Sequence, residues 1–543
     1  MRDVHVFRDT RREISGDRLL SELRISLGDL TSSSHANPPG ELVREALVRA
    51  GELESILTDR GLDGAVEMAR ITDDLAEALI APEAALSSDL GAATLPRDVP
   101  ARVLVSPPEG FARYAVHPLD FSALVARIPL VAAPAVVIGI RTIGATLSAV
   151  VAAALRARGI PAQRFTVRPE GHSYDLRVRL GEPAQKWLRA QIAAGASCFV
   201  VDAGPGLRSS SLLAAAEALV AAGAPRGRVV LLCTRAPAPG TLLVPDAARR
   251  FQAFTLHATG PSCVAPEEAV IPLDGGAWRK LCFGDRRRYP PVWAQLERRK
   301  LLSLDGHQLF KFAGLGRSGA EIFDRARALH DAGFGPPVED AGDGYLVMPW
   351  IADSAPLRAE SLTPALIHRL SAYCAFRASA FPSDPPRPGD IESMLRKNAL
   401  VMLGRELGPR VELPQERPVY ADARMMPHEW VAAPGAPPLK MDGTDHGDDQ
   451  LFPGPVDVAW DLAGIIVEWR MSASARREFL DGYRHASGDR FESRLPAYLF
   501  AYTLFRLAWS AAAAATSPPA EAARLAAAEQ RYRALLQTFT SPW

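Results

Sequence analysis

Residues 198–213 read CFVVDAGPGLRSSSLL. An apolar run enters Asp202, a glycine- and serine-rich turn follows, and a helix-forming run starts at Leu212. A strand, a Gly/Ser turn and a helix start aim turn amides and the positive end of a helix dipole at one point, which suits a phosphate. Gly204 and Gly206 let the backbone approach a ligand closely. Ser209, Ser210 and Ser211 add hydroxyl donors, and Asp202 is placed for ribose hydroxyls or a metal-bound diphosphate. The same pattern also fits an ordinary strand–turn–helix corner, so the flanking segments decide.

Outward from this stretch, strands alternate with helices. Val103–Ser106, Ala135–Ile140, Gln163–Val167 and Val229–Thr234 read as strands, and Ala145–Arg158 and Leu212–Ala222 as helices. Gly159 with Pro161 beyond it closes the first of these helices. Such alternation predicts an α/β domain with a mostly parallel sheet, whose ligands bind beyond the carboxyl ends of the strands. Three loops lie at those ends: the Asp202 turn, Arg141-Thr142-Ile143-Gly144, and residues 168–178 (RPEGHSYDLRV) with Arg168 and Tyr174. A cationic side chain beside free amides at Arg141 suits a diphosphate.

Over roughly residues 96–260 these three loops resemble the phosphoribosyltransferases of type I. The resemblance implies that Asp202 and the 204–211 turn hold a ribose phosphate. It also implies that Arg141, Thr142 and Gly144 hold pyrophosphate, and that the Arg168–Tyr174 loop closes over 5-phosphoribosyl diphosphate (PRPP). The family's second acidic position is Ala203 here.

The totals bound the rest. A chain of 543 residues is too long for one core, so two or three domains are expected. Lys+Arg and Asp+Glu both number 62, which argues against general nucleic-acid or membrane-surface binding. The five cysteines have no metal-ligand or CxxC spacing, which fits a reducing compartment. The apolar stretch 128–155 is broken by Arg141 and reads as strand, loop and helix rather than a span. The expectation is a cytoplasmic protein acting on small molecules, with a homodimer possible.

A second pattern begins near residue 292. RRKLLSLDGHQLFKFAGLG reads as two strands joined at Asp305-Gly306, with Lys311 in the second; a helix carrying Glu321 and an apolar strand near 343–351 follow. Further on come VYADARMMPHEWV (419–431) and the acidic stretch PPLKMDGTDHGDDQLF (437–452). Asp422 and Asp442 lie 442 − 422 = 20 residues apart, room for one hairpin. Asp442, Asp445, His446, Asp448 and Asp449 would repel one another at one site unless a cation were bound.

This half resembles the aminoglycoside-phosphotransferase-like kinases. The resemblance implies Lys311 on ATP phosphates, Glu321 orienting it, Asp422 as catalytic base, Asp442 on Mg²⁺, and Asp461 bracing the catalytic loop. The family's His-Gly before the base is Tyr420-Ala421 here, and its Asn is replaced by His428, which with Asp445 becomes a candidate metal ligand, as does Glu429.

The boundaries read as a mostly helical region 1–95, the phosphoribosyltransferase-like domain 96–262, a linker 263–291 and a two-lobed α+β kinase-like domain 292–543. The function expected is bifunctional: phosphoribosyl transfer from PRPP, or its reverse, together with ATP- and Mg²⁺-dependent phosphorylation of a hydroxyl. The rival reading is a PRPP- or nucleotide-sensing regulator with a pseudokinase module.

Overall fold

The computed structural model describes residues 8, 10–32, 40–82, 95–96, 99–129, 133–172, 175–204, 210–237, 246–260, 262, 264–351, 353–408, 411–449, 451–452 and 454–539. Gly206, Ser209 and Tyr174 lie outside them.

Helices α1 (Gly16–Ser32), α2 (Gly40–Arg60) and α3 (Ala65–Ile80) precede the parallel sheet. The sheet contains β1 (Ala135–Ile140), β2 (Ala162–Val167), β3 (Ser197–Val201), β4 (Val229–Cys233) and β5 (Thr255–Ala258), with α4 (Ile143–Ala157) following β1 and α5 (Ser210–Ala221) following β3. All pairings are parallel and the order is β2-β1-β3-β4-β5. β1 is AVVIGI, buried at every position because helices cover both faces. The order reverses between β1 and β3, so their carboxyl ends frame the crevice where such sheets bind ligands. Gly139 lets the next loop fold back here: a Cβ on it would lie 2.0 Å from the Gly144 carbonyl oxygen. Residues 170–172 and 175–177 form a small antiparallel hairpin after β2.

An antiparallel sheet follows: β6 (Ala269–Pro272), β7 (Lys300–Ser303), β8 (Gln308–Phe312), then α6 (Arg317–Asp331), β9 (Glu339–Asp340) and β10 (Tyr345–Pro349). Its order is β6-β7-β8-β10-β9. β6 falls within the stretch read as linker and pairs with β7. The second lobe is mainly helical: α7 (Pro364–Ala380), α8 (Asp390–Leu403), the hairpin β11 (Trp430–Ala432) and β12 (Leu439–Lys440), then α9 (Ala459–Glu468), α10 (Ala473–Ser487), α11 (Leu495–Thr516) and α12 (Pro519–Thr538).

Strand alternation sorts β8 into two faces. Phe310 and Phe312 join one continuous core with Val43–Leu57 of α2, Phe111, Leu147 and Phe199. The small lobe is thus packed directly onto the α/β unit. Leu309 and Lys311 point the other way, into the cleft above the helical lobe.

Candidate active site

Two carboxylates organise the helical lobe's side of the cleft. Asp461, in the first turn of α9, accepts hydrogen bonds from the backbone amides of Asp422 and Ala423, both at 2.9 Å. Ala423 needs that hold, because its φ of +64° is costly for a residue with a Cβ. Arg377 of α7 ties two loops together, donating to the carbonyls of Tyr420 at 2.6 Å and Gly443 at 2.7 Å. The brace expected of Asp461 is therefore present in the geometry, with Arg377 as an unforeseen second tie.

Asp422 is fully buried. Tyr373 donates to its Oδ2 at 2.6 Å, Lys440 Nζ lies 3.2 Å from the same oxygen, and His446 Nδ1 is 3.9 Å from Oδ1. Burial pushes its carboxyl up, but Lys440, His446 and Arg377 more than offset this and hold it below the usual range. Lys440 also meets Glu429 Oε2 at 2.5 Å. Burial would discharge Lys440, and the two carboxylates hold it protonated.

Across the cleft, Lys311 pairs with both Asp442 and Asp445, the latter at 3.0 Å. Lys300 reaches Asp442 at 3.1 Å, and Arg298 pairs with Asp445. His446 Nε2 lies 3.5 Å from Asp442. Burial and Arg424 oppose its charge, but Asp442, Glu429 and Asp422 keep His446 protonated up to about 9. Asp442 retains the most exposure of these carboxylates, 19%. Near it, Leu273, Leu302, Leu309 and Met348 pack as a buried apolar cluster, with Trp278, Trp350 and Met441 partly buried against it.

The acidic run is neutralised differently from the sequence expectation. Asp422, Glu429, Asp442 and Asp445 face four protein cations, Lys440, Lys311, Lys300 and Arg298. Asp448 pairs with Arg12, and Asp449 caps the next turn by accepting from the Leu451 and Phe452 amides at 2.7 Å. Arg12, Arg298, Lys300 and Lys311 come from distant segments, so the run alone cannot reveal them.

Donor atoms of Asp442, Asp445 and His446 lie within 4.8 Å of one another, as do those of Asp422, Glu429 and His446. For Mg²⁺ the first set fits through Asp442, a hard oxygen donor on the open side of the cleft. His428 joins neither set: it is stacked on Trp278 with ring centroids 5.9 Å apart. Burial together with Arg424 and Lys440 pushes its imidazole well below its ordinary value, so it stays neutral.

Glu321 does not reach Lys311. It pairs with Arg18 of α1 at 2.7 Å. The phase of α6 explains this: Ile322, Arg325 and Leu329 are its buried positions, and Arg325 donates to the Thr444 carbonyl at 2.9 Å. Among the described residues, the site members that sequence reasoning missed are Arg298, Lys300, Arg325, Tyr373, Arg377 and Lys440. Only Lys440, two positions before Asp442, carried a local signal.

The α/β unit brings two of its three loops together. Arg141 donates to Asp59 Oδ1 at 2.8 Å and to Thr166, while Arg168 donates to the Arg141 carbonyl at 3.0 Å and the Thr142 hydroxyl at 3.4 Å. Arg168 also pairs with Asp59, so both guanidiniums share one carboxylate of α2. Gly144 packs between Gly139 and the Val201 carbonyl. Asp202 follows β3 at the other side of the crevice, accepting from the Ser211 hydroxyl at 3.1 Å. Burial raises its carboxyl to about 6, against the hydrogen bonds from Ser211 and the loop amides. Ser210 is buried at the start of α5, and Gly204 accepts from the Thr234 amide at 3.2 Å.

No family model matches the chain, and no curated protein matches it. Solved structures do. A choline/ethanolamine kinase family protein from Mesorhizobium loti shares 17% identity, covering 44% of this chain and 85% of that one, at a TM-score of 0.32. The macrolide 2′-phosphotransferase MphH from Brachybacterium faecium shares 15%, covering 44% and 90%, at 0.29. The choline kinase LicA from Streptococcus pneumoniae shares 14%, covering 44% and 89%, at 0.30. Scores this low carry no weight for function, which has to be read from the site itself. No helix among the described residues is long and apolar enough to cross a membrane.

Proposed function

We propose that the two-lobed half transfers a phosphoryl group from ATP to a hydroxyl of a small molecule. The observation that supports this most is the brace of Asp461 on the Asp422–Ala423 amides, set opposite Lys311 and Asp442. Phosphoryl transfer depends on positioning and charge neutralisation more than on covalent chemistry. In this reading Lys311 turns from Asp442 to the phosphates. Asp442 with Asp445 would hold Mg²⁺, which supplies charge neutralisation when bound. Asp422 orients the acceptor hydroxyl and receives its proton.

The α/β unit supports a second role, binding of a phosphorylated ribose such as PRPP. Arg141 and Arg168 converge on Asp59 beyond the carboxyl ends of β1 and β2, and Asp202 ends β3, the strand on the other side of β1. An anionic ligand there competes with Asp59 for both guanidiniums. With Ala203 in place of a second acid, binding without turnover is the alternative, and enclosure of Asp422 extends it to a nucleotide-sensing pseudokinase.

Calorimetric titration with an ATP analogue plus Mg²⁺, and separately with PRPP, tests both roles. Asp422→Asn keeps analogue binding and lowers phosphate transfer on the order of 10²–10⁴-fold if Asp422 is the base. A substrate screen in which wild type and variant are equally inactive, with analogue bound by both, favours the sensor. Absence of binding by either ligand removes the reading.

A further inference from the structure

Lys440 is the least expected charge in the cleft. It ends β12 and its side chain has no solvent exposure. Its Nζ lies 2.5 Å from Glu429 Oε2, 3.2 Å from Asp422 Oδ2 and 3.5 Å from the Arg424 carbonyl. Asp422 and Glu429 belong, with His446, to one of the two groups whose donor atoms lie close enough to share a metal ion. Two carboxylates and a carbonyl around one centre are an oxygen cage of the kind that holds a hard divalent cation. Here the centre is an ammonium group.

We propose that Lys440 is a built-in cation that keeps a divalent metal out of the Asp422–Glu429–His446 group. The exclusion follows from distance. A magnesium ion needs oxygens at about 2.0–2.1 Å, and an ion bridging Asp422 Oδ2 and Glu429 Oε2 would have to take the two oxygens that Nζ already holds at 3.2 and 2.5 Å. Two like charges at such a separation in a buried site repel strongly. Removing one carboxylate's partner in a buried pair leaves an uncompensated charge, so deleting the ammonium creates the demand for a cation that the wild type lacks. A fixed charge next to Asp422 also serves the transferred phosphoryl group as a second metal would, without having to be bound first. The inference draws on the proposed function only for that last role; the metal count itself is independent of turnover.

The test is the number of Mn²⁺ ions bound by the full chain, read by the electron paramagnetic resonance of free Mn²⁺ during titration without nucleotide. Lys440→Met is expected to bind one more ion per chain than wild type, and Lys440→Arg, which keeps the charge, the same number as wild type. Glu429→Gln is expected to leave the wild-type count unchanged, because Glu429 holds an ammonium and not a metal. Equal counts in Lys440→Met and wild type, or loss of an ion in Glu429→Gln, overturn the proposal. If Lys440→Met fails to fold, Lys440→Gln is titrated instead and the Glu429→Gln arm stands on its own. A protein that transfers no phosphate but gains an ion in Lys440→Met refutes the kinase reading and leaves this one intact.

Discussion

Asp202 illustrates how a single residue carries both a site and a cost. Its carboxyl sits at the end of β3 with one hydroxyl partner, Ser211, and burial raises it to about 6. A carboxyl raised on folding is ionised more readily in the unfolded chain. Below about pH 4 both states are protonated and there is no penalty. The penalty grows as pH rises toward 6 and is complete above it. Asp202→Asn removes the ionisation and is expected to melt higher than wild type at pH 7.5, by on the order of 1–2 kcal/mol given the residue's partial exposure. The gap should shrink on acidification and close near pH 4. Thermal melts across pH 4–8 read it directly, and a gap that does not vary with pH contradicts the assignment. The same variant should lose PRPP binding if Asp202 holds ribose hydroxyls, which separates a functional acid from a merely buried one.

At the scale of elements, the brace helix α9 and the β11–β12 hairpin explain why some of the site was legible and some was not. Asp422, Asp442 and Asp461 lie within one stretch of 40 residues, 461 − 422 + 1, with a hairpin and a helix start between them, so spacing alone places them together. Lys300 and Lys311 lie 142 and 131 residues from Asp442, and nothing local announces those pairs. Glu321 beside Lys311 is what the family resemblance implies, whereas the buried phase of α6 runs through Ile322, Arg325 and Leu329. β1, β3 and β4 are legible because they are apolar on both faces, whereas β2 is an edge strand buried only at its two ends and β5 a short edge strand whose residues are all at least partly exposed. Asp461→Asn tests the brace. An amide keeps one acceptor but turns a donor toward a backbone amide, leaving one of the two loop N–H groups unpaired. The variant is expected to lose on the order of 1–3 kcal/mol of stability and, on the proposed phosphoryl-transfer reading, to lower kcat with little change in the KM for ATP, because Lys311 lies across the cleft. Steady-state kinetics and denaturant melts check both; an unchanged kcat removes the brace from the mechanism.

The whole molecule is held as one body by contacts that cross the boundary read from sequence. Phe310, Phe312 and Tyr345 of the small lobe share a core with α2 and the parallel sheet. Charges reinforce the join: Arg317, which opens α6, pairs with Glu22 of α1 at 2.8 Å and with Glu52 of α2, and Glu321 one turn later pairs with Arg18. Arg298 donates to the Ala112 carbonyl at 2.6 Å while also holding Asp445. The helix that flanks the cleft is therefore anchored on α1 and α2, and α2 shares a core with the parallel sheet. Arg317→Met leaves Glu22 and Glu52, both mostly buried, without their common cation. Breaking such a pair from one side costs several kcal/mol when fully buried, and here about 2–3 kcal/mol is expected. Because the small lobe shares a core with the α/β unit, and Arg298 and Arg113 tie them to Asp445 and Asp448 of the helical lobe, wild type should unfold in guanidinium as a single transition followed equally by far-ultraviolet circular dichroism and tryptophan fluorescence. Arg317→Met should move that single midpoint down, or split it in two, with the helical lobe, which has its own core, unfolding last. Two separate transitions already in wild type, or an unshifted midpoint in the variant, would mean that the shared core does not couple the units and that α6 transmits nothing between them.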